Sequence, residues 1–225
     1  MKNIVSLLLV TGCFLYQNVW SQCNPFYDID INTRWEITQY DHKDKQIGRQ
    51  INEVVSYDET SNGWKAVMNF EIYDKKDELV MEKEEVELEC ENGVIHMDME
   101  RFIPSEMMES LKGMNMDIDI DNVQLPSDLS VGQSLDDGSI VISGDLPMTM
   151  RVDITDRKVA AKEKVTTPAG TFECYKITYT IKTKMMMGRE SKAAEWIAKD
   201  VGLVKSESYK NNGKLMSYSL LTKVE

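Results

Sequence analysis

Residues 164–184, KVTTPAGTFECYKITYTIKTK, contain two runs rich in β-branched and aromatic residues on either side of a Pro-Ala-Gly turn. Such runs favour β-strands, and Pro and Gly between them favour a tight reversal of the chain. Residues 193–209, AAEWIAKDVGLVKSESY, repeat the arrangement around an Asp-Val-Gly turn. The region from residue 164 to residue 209 therefore predicts three strands joined by tight turns, which indicates an antiparallel β fold.

Alternation of apolar and polar residues extends this prediction to the rest of the chain. Trp64, Ala66, Met68 and Phe70 fall on one face of a predicted strand, with Lys65 on the other. A period of two is typical of a strand with one buried face. Short polar turns separate these runs, so we predict a mainly β fold with a strongly curved antiparallel sheet, either an open sheet or a half barrel. The last strand is predicted to place one apolar face inward, made of Met216, Tyr218, Leu220 and Val224.

The apolar face of the main hairpin changes sides at Cys174. Phe172 and Cys174 have even numbers, whereas Tyr175, Ile177 and Tyr179 have odd numbers. Since a regular strand keeps one parity on each face, the strand either bulges near Cys174 or is buried on both faces there.

One segment departs from the strand pattern and predicts a helix. Residues 102–113, FIPSEMMESLKG, place Ser105 before a helix-favouring run that ends at Gly113. Ser is a frequent N-cap and Gly a frequent C-terminal stop, so we predict one short helix near residues 104–113. Such a helix would cover apolar surface that an open sheet leaves exposed.

Length and charge limit the classes of partner. The chain has 225 residues, which suits a single β domain with a sizeable core. Its 38 acidic residues outnumber its 26 basic residues by 12, and the lysines are scattered along the sequence. A field of this sign repels nucleic acids and anionic membrane surfaces. We therefore expect neither as a partner.

The N-terminus predicts export. Lys2 precedes an apolar run from Ile4 to Tyr16 that is shorter than the 20 or so residues a membrane-spanning helix needs, and Ser21 provides a small residue for cleavage. We predict a signal peptide at 1–21 and a mature domain at 22–225. A lipoprotein signal with Cys13 as the acylated residue is the alternative, because residues 10–13 read Val-Thr-Gly-Cys. No further membrane span is expected.

Export to an oxidising compartment determines how the remaining cysteines are interpreted. Cys23, Cys90 and Cys174 follow the signal, so at most one internal disulfide forms and one thiol remains. Cys174 lies beside Phe172 in a predicted strand, where it would behave as a small buried hydrophobic residue. We predict a bridge between Cys23 and Cys90.

Several phrases resemble a family of uncharacterised exported proteins typical of Bacteroidota, a group whose members form a domain of unknown function. The phrases are LPSDLSVGQSL at 125–135, TTPAGTFECYKI at 166–177 and GLVKSESY at 202–209, together with the early Cys23 and the Glu-rich strand that ends in Cys90. The predicted helix with Met107 and Met108 matches as well. Asp200 replaces a more usual Gly, but Asp tolerates the left-handed conformation such a turn requires. The resemblance implies a strongly curved sheet similar to the half barrel of periplasmic lipoprotein carriers, and it implies no catalytic activity.

Catalytic and metal-binding patterns are weak. His42 lies in a polar turn and His96 in a predicted strand, without a nucleophile motif, so we predict that the protein is not an enzyme and carries no cofactor. Asp117, Asp119 and Asp121 have the first spacings of a calcium-binding loop, but Asn122 replaces its required Gly. We interpret these aspartates as the solvent face of a strand and predict no metal site.

Methionine is unusually frequent, with 15 residues, several of them in and around the predicted helix. Met fills irregular cores and lines adaptable apolar grooves, and its thioether can also bind copper(I). We predict an exported, non-enzymatic domain that binds an apolar or amphipathic ligand or a partner protein. A purely structural envelope protein and a copper(I)-binding protein are the alternatives. The predicted ligand groove is formed by Met107, Met108, Leu111, Trp64, Met68 and Phe70.

Overall fold

The computed structural model describes residues 23–97, 116–144, 149–184 and 188–225, which form thirteen β-strands. The strands are β1 (Arg34–Asp41), β2 (Gln46–Thr60), β3 (Gly63–Asp74), β4 (Leu79–Glu91), β5 (Val94–Met97), β6 (Met116–Asp121), β7 (Val123–Pro126), β8 (Gly138–Gly144), β9 (Met150–Thr167), β10 (Gly170–Lys184), β11 (Arg189–Ala198), β12 (Gly202–Lys210) and β13 (Leu215–Val224). They form one antiparallel sheet in the order β6-β8-β9-β10-β11-β12-β13-β1-β2-β3-β4-β5-β7. The predicted antiparallel β fold is confirmed.

The sheet is nearly closed and barrel-like, and therefore curves further round than the open sheet or half barrel that the sequence predicts. Its edge strands β6 and β7 are consecutive in the sequence and are separated only by Asn122. The two edges of the sheet therefore meet at this residue. The chain passes from one edge to the other through Asn122, and the sequence there carries no turn signal. Closure of the sheet depends instead on which distant strands pair.

Arg157 ties the two edges together. It lies on β9, the third strand from the β6 edge, and only 6% of its surface is exposed. Its Nη1 donates hydrogen bonds to the carbonyl oxygens of Gln124 on β7, at 3.1 Å, and of Asp136, at 2.5 Å. Burial lowers the pKa of the guanidinium, and the carboxylate of Glu195 opposes that shift. The charged hydrogen bond to Gln124 therefore crosses the seam, and the one to Asp136 holds the loop that leads into β8.

The stretch from residue 164 to residue 209 contains four strands, one more than predicted. It comprises the end of β9 and all or most of β10, β11 and β12. Thr183 pairs with Arg189, so the chain reverses just after β10, where a Met-Met-Met-Gly sequence gave no clear turn signal. Both predicted turns are confirmed, and Asp200 adopts the expected left-handed conformation, with φ of 64°.

Burial on both faces of the strand, one of the two predicted alternatives, accounts for the change of face at Cys174. Cys174 and Ile177, on opposite faces of β10, are 0% and 1% exposed, so the strand is buried on both sides. The register with β9 shifts at Lys176/Ile177 and again between Thr178 and Thr180. In both shifts the extra residue belongs to β9, so the bulges lie on the partner strand and not on β10 itself.

The last strand buries different residues from those predicted. Ser219 and Leu221 are buried, whereas Val224 is 43% exposed and the Tyr218 ring stacks on Tyr40 with centroids 5.0 Å apart. Leu220 and Leu221 are adjacent apolar residues, so alternation alone did not decide which of them faces the core.

Two predicted segments lie outside the described residues: the signal peptide at 1–21, with Cys13, and the helix near residues 104–113. Across the described ranges, we find no helix with the length and apolar character needed to cross a bilayer.

Candidate functional site

A disulfide fixes the start of the described chain to the sheet. Cys23 and Cys90, the pair expected from the sequence, are bonded with an S–S distance of 2.07 Å and are 67 positions apart. Cys90 is near the end of β4, and β3 begins beside it at Gly63. A Cβ atom at Gly63 would lie 1.9 Å from the Cys90 carbonyl oxygen and 3.0 Å from the Cys23 sulfur. Only glycine therefore allows the disulfide and the two strands to approach so closely.

Asn24 anchors the same segment by hydrogen bonds. Its side chain is completely buried, and its Nδ2 donates to the carbonyl oxygens of Gly93, at 2.9 Å, and Leu125, at 3.0 Å. Its Oδ1 accepts a hydrogen bond from the Phe26 amide at 3.0 Å. Each polar atom of this buried amide thus has a partner, as a stable buried polar group requires. The N-terminal segment is joined in this way to both β7 and the β4–β5 turn.

The next residues cross the end of the sheet towards β10 and β12. The buried Phe26 ring meets the Tyr175 ring edge-on, with centroids 5.8 Å apart, and the Pro25 carbonyl accepts a hydrogen bond from the Asp200 amide. Tyr27 lies against Gly202, where an added Cβ would be 2.3 Å from the tyrosine ring and where φ is +76°. A side chain at residue 202 would displace Tyr27.

The opposite wall comes from the β2–β3 hairpin. Trp64 pairs with Glu59 across the two strands, and Tyr57 pairs with Ala66. Trp64 is 5% exposed, and its ring lies 6.1 Å from the ring of the half-buried Tyr57. Because Glu59 is opposite Trp64 in the register, its exposed carboxylate lies on the same face as the indole ring.

Between these walls lies a groove of about 820 Å³, which we call the disulfide groove. Its apolar surface comes from Tyr27, Ile29, Tyr57 and Trp64, beside Cys23 of the disulfide. Its polar lining residues include Asp28, Glu59, Thr60, Ser61, Asn62, Ser127 and Asp128. Aromatic surface beside polar groups can accommodate a ligand with one apolar and one polar part.

Only half of the predicted groove residues lie in the described part of the chain, so the assembly of that groove stays a prediction. Of its residues, Trp64 lines the disulfide groove, whereas Met68 packs against the hydrophobic core. Phe70 is half-buried on the same face of β3 and does not line the groove. The other three members, Met107, Met108 and Leu111, lie outside the described residues.

The remaining candidates for chemistry lie apart from the groove. His42 is exposed in the β1–β2 turn, and His96 is half-buried on β5 between the buried Ile95 and Met97. On β6 the aspartates alternate as exposed residues with half-buried isoleucines, as expected for a strand. The described residues contain no group of three or more His, Cys, Asp or Glu side chains arranged to hold a metal ion. Met97 belongs to the hydrophobic core, and the partly buried Met116 packs against that core.

Cys174 is a free, fully buried thiol. Burial, with a smaller contribution from the nearby Glu163 carboxylate, raises its pKa to about 11. The thiolate that would act as a nucleophile is therefore suppressed at neutral pH.

Sequence reasoning missed most of the groove. Asn24, Tyr27, Asp28, Tyr57, Glu59 and Asp128 were not predicted as site residues. The signal that could have suggested part of it is CNPFYDI at 23–29, where buried and half-buried aromatic residues directly follow a bridged cysteine. The partners of this segment are distant in sequence, since Asn24 and Leu125 are 101 positions apart.

Two solved structures share the fold. One is a protein from Bacteroides fragilis, inferred to be exported and with a YmcC-like fold; it is 22% identical, has a TM-score of 0.72, and the alignment covers 90% of this chain and 100% of that one. The other is an inferred lipoprotein from Parabacteroides distasonis; it is 25% identical, has a TM-score of 0.73, and the alignment covers 91% of this chain and 100% of that one. No protein with a curated description matches the sequence.

A family model extends over most of the sheet. It matches residues 32–221, which run from the turn before β1 to the inward-facing Leu221 of β13. The family resemblance expected from the sequence is confirmed: the chain belongs to the DUF3108-like family, a family of proteins of unknown function.

Proposed function

We propose that this protein is an exported binding protein that holds an amphipathic molecule in the disulfide groove and carries out no catalysis. The observation that carries the proposal is the groove itself, with aromatic walls and a volume of about 820 Å³. Ligand sites in proteins commonly enclose about 300 to 1,000 Å³ and combine aromatic surface with a few polar groups. The groove is of that size and has aromatic walls, and its lining contains a larger share of polar residues than most such sites.

The anchoring of the groove walls supports binding. Cys23 is held covalently, Asn24 by three hydrogen bonds, and Phe26 by burial against Tyr175. A wall that is ordered before the ligand arrives loses little conformational entropy on binding. The N-terminal segment therefore forms a preorganised surface.

The side chains of the groove favour binding over catalysis. The described lining contains hydroxyl, amide and carboxylate groups and a cysteine that is already oxidised, but no histidine, lysine or free thiol. Its carboxylates, including Asp28 and Glu59, are exposed to solvent. General acid–base catalysis near neutral pH is most often carried out by histidine, and the described lining of the groove contains none.

Export is supported by three observations. The sequence begins with a signal-like apolar run, the structure contains a disulfide, and the two solved relatives were described as an inferred exported protein and an inferred lipoprotein. Stable disulfides form in oxidising compartments outside the cytosol. The disulfide groove would then face the periplasm or the extracellular medium.

Binding of the neutral fluorescent probe N-phenyl-1-naphthylamine tests the proposal. Tyr57→Ala removes one aromatic wall, and Thr60→Trp adds bulk at an exposed lining position without changing the core. Both variants should weaken probe binding at least about fivefold, since burial of an aromatic ring contributes about 1.5 to 3 kcal/mol. Tyr40→Ala, at the opposite end of the sheet, makes the same chemical change and should bind like the parent protein.

Native mass spectrometry of protein purified from its own cell envelope identifies the occupant. A co-purified amphipathic molecule that is lost in Tyr57→Ala would support the proposal. If the parent does not bind the probe, or if all three variants bind it equally well, the disulfide groove is not a ligand site. A co-purified protein lost from the same variant would indicate a partner surface instead.

A further inference from the structure

The ionisable side chains of the disulfide groove all have the same sign. Asp28, Glu59 and Asp128 contribute exposed carboxylates, and the described lining contains no lysine, arginine or histidine. Glu59 lies opposite Trp64 in the β2–β3 register, and Asp28 follows Tyr27 in the N-terminal segment. Each aromatic wall is thus accompanied by a carboxylate.

The aromatic wall experiences this negative field. The pKa of the Tyr57 hydroxyl is raised by burial and also by the charges of Glu59, Asp30 and Asp28. Carboxylates from both walls therefore act at one point in the groove. The net charge of the whole chain, −12, adds to the attraction of cations.

Aromatic rings and carboxylates together recognise cations. The face of a tyrosine or tryptophan ring attracts an ammonium or guanidinium group, and a neighbouring carboxylate supplies an opposite charge. Tyr27 and Cys23, which are half-buried and line the groove, offer apolar surface beside these groups for a hydrocarbon part of the same ligand. An anionic amphiphile would instead place its head group against three like charges.

We infer that the disulfide groove selects cationic amphiphiles, that is, small molecules in which a positively charged head group is joined to an apolar chain. This inference rests on the proposed binding function and adds the sign of the ligand's charge. The head group lies among the three carboxylates, and the apolar chain packs against the exposed parts of Tyr27 and Tyr57.

Displacement of N-phenyl-1-naphthylamine by three ligands with the same ten-carbon chain tests the inference. The ligands are decyltrimethylammonium, decanoate and decyl maltoside, each used below its critical micelle concentration. The cation should compete about tenfold or more better than the anion, the scale expected for one or two partly exposed charge pairs. The preference should shrink in 1 M salt, where the screening length falls to about 3 Å.

A charge-neutralised variant shows whether the groove causes the preference. Asp28→Asn, Glu59→Gln and Asp128→Asn combined should reduce binding of the cation about tenfold and leave binding of decyl maltoside unchanged. The control removes the same number of charges elsewhere, by Glu78→Gln, Asp117→Asn and Glu190→Gln, at exposed positions outside the groove. It should keep the preference of the parent protein.

The outcomes separate the two proposals. If decyl maltoside and the probe bind but cation and anion compete equally, the inference is overturned and the binding function stands. Equal loss of cation binding in both charge variants would attribute the preference to net charge, which also overturns the inference. If neither neutral compound binds, the binding function itself fails.

Discussion

Reduction of the Cys23–Cys90 disulfide should strongly destabilise the protein. The bond closes a loop whose ends are 67 positions apart. In the chain-entropy treatment, a cross-link over a loop of this length restricts the unfolded chain enough to stabilise the native state by about 4 kcal/mol at 25 °C. We therefore expect a reductant to lower the free energy of unfolding of the parent by about that amount. A variant with both Cys23→Ala and Cys90→Ala should be as weak as the reduced parent or weaker, since Cys90 is also buried.

Urea unfolding followed by tryptophan fluorescence measures this difference, with and without dithiothreitol. The parent should shift to lower urea in the reductant, whereas the double variant should unfold at the same concentration in both buffers. Cys174→Ala keeps the bridge and should respond to the reductant like the parent. A parent whose midpoint does not move, or a double variant that moves with it, would refute the assignment of this stability to the disulfide.

Three further predictions concern other parts of the fold. Arg157→Met leaves the carbonyl oxygens of Gln124 and Asp136 without their donor and should lower the free energy of unfolding in urea by about 2 to 5 kcal/mol. Arg157→Lys should recover only part of this loss, and a loss below about 1 kcal/mol would contradict the role of Arg157. The thiol of Cys174, whose pKa burial raises to about 11, should not react with iodoacetamide at pH 8 in the native protein but should react after unfolding, as mass spectrometry will show; native labelling would exclude a buried thiol. Hydrogen bonds from backbone amides of their own turns lower the pKa of Asp41 and of Asp74. The ionised carboxylates therefore stabilise the folded protein above the unfolded-state pKa of about 4, and this stabilisation is lost as the pH falls through the lower folded-state pKa. Thermal unfolding from pH 7 to pH 2 should therefore show Asp41→Ala and Asp74→Ala less stable than the parent only at the higher pH, and a difference unchanged at pH 2 would contradict this.

Local patterns predicted the parts of the fold that depend on neighbouring residues. Alternation identified the strand that carries Trp64 and Met68, and the Pro-Ala-Gly sequence identified the β9–β10 turn. The left-handed conformation of Asp200 followed from the small set of residues that tolerate it. The three cysteines that follow the predicted signal peptide allow one internal disulfide, and the predicted Cys23–Cys90 bond is present in the structure.

Contacts between distant residues account for what the sequence did not reveal. Closure of the sheet depends on Arg157 reaching Gln124, and neither residue lies in a pattern that marks the other as its partner. The adjacent Leu220 and Leu221 gave the last strand an ambiguous face. Asn24 resembles an ordinary loop residue until the carbonyl groups of Gly93 and Leu125 are brought to it by the fold.

The disulfide groove and the stability of the fold depend on the same residues at one end of the sheet. Cys23 lines the groove and closes the stabilising loop, and Asn24 holds the same segment against β7. Since these anchors order the wall without a ligand, a bound ligand should stabilise the native protein only by mass action. Loss of the disulfide would make ordering of this wall part of the binding reaction, so affinity should fall although Tyr57 and Trp64 are unchanged. If the groove binds the proposed ligand, its affinity should therefore depend on oxidation of Cys23 and Cys90, because the reduced chain keeps only the contacts of Asn24 and Phe26 to hold this wall.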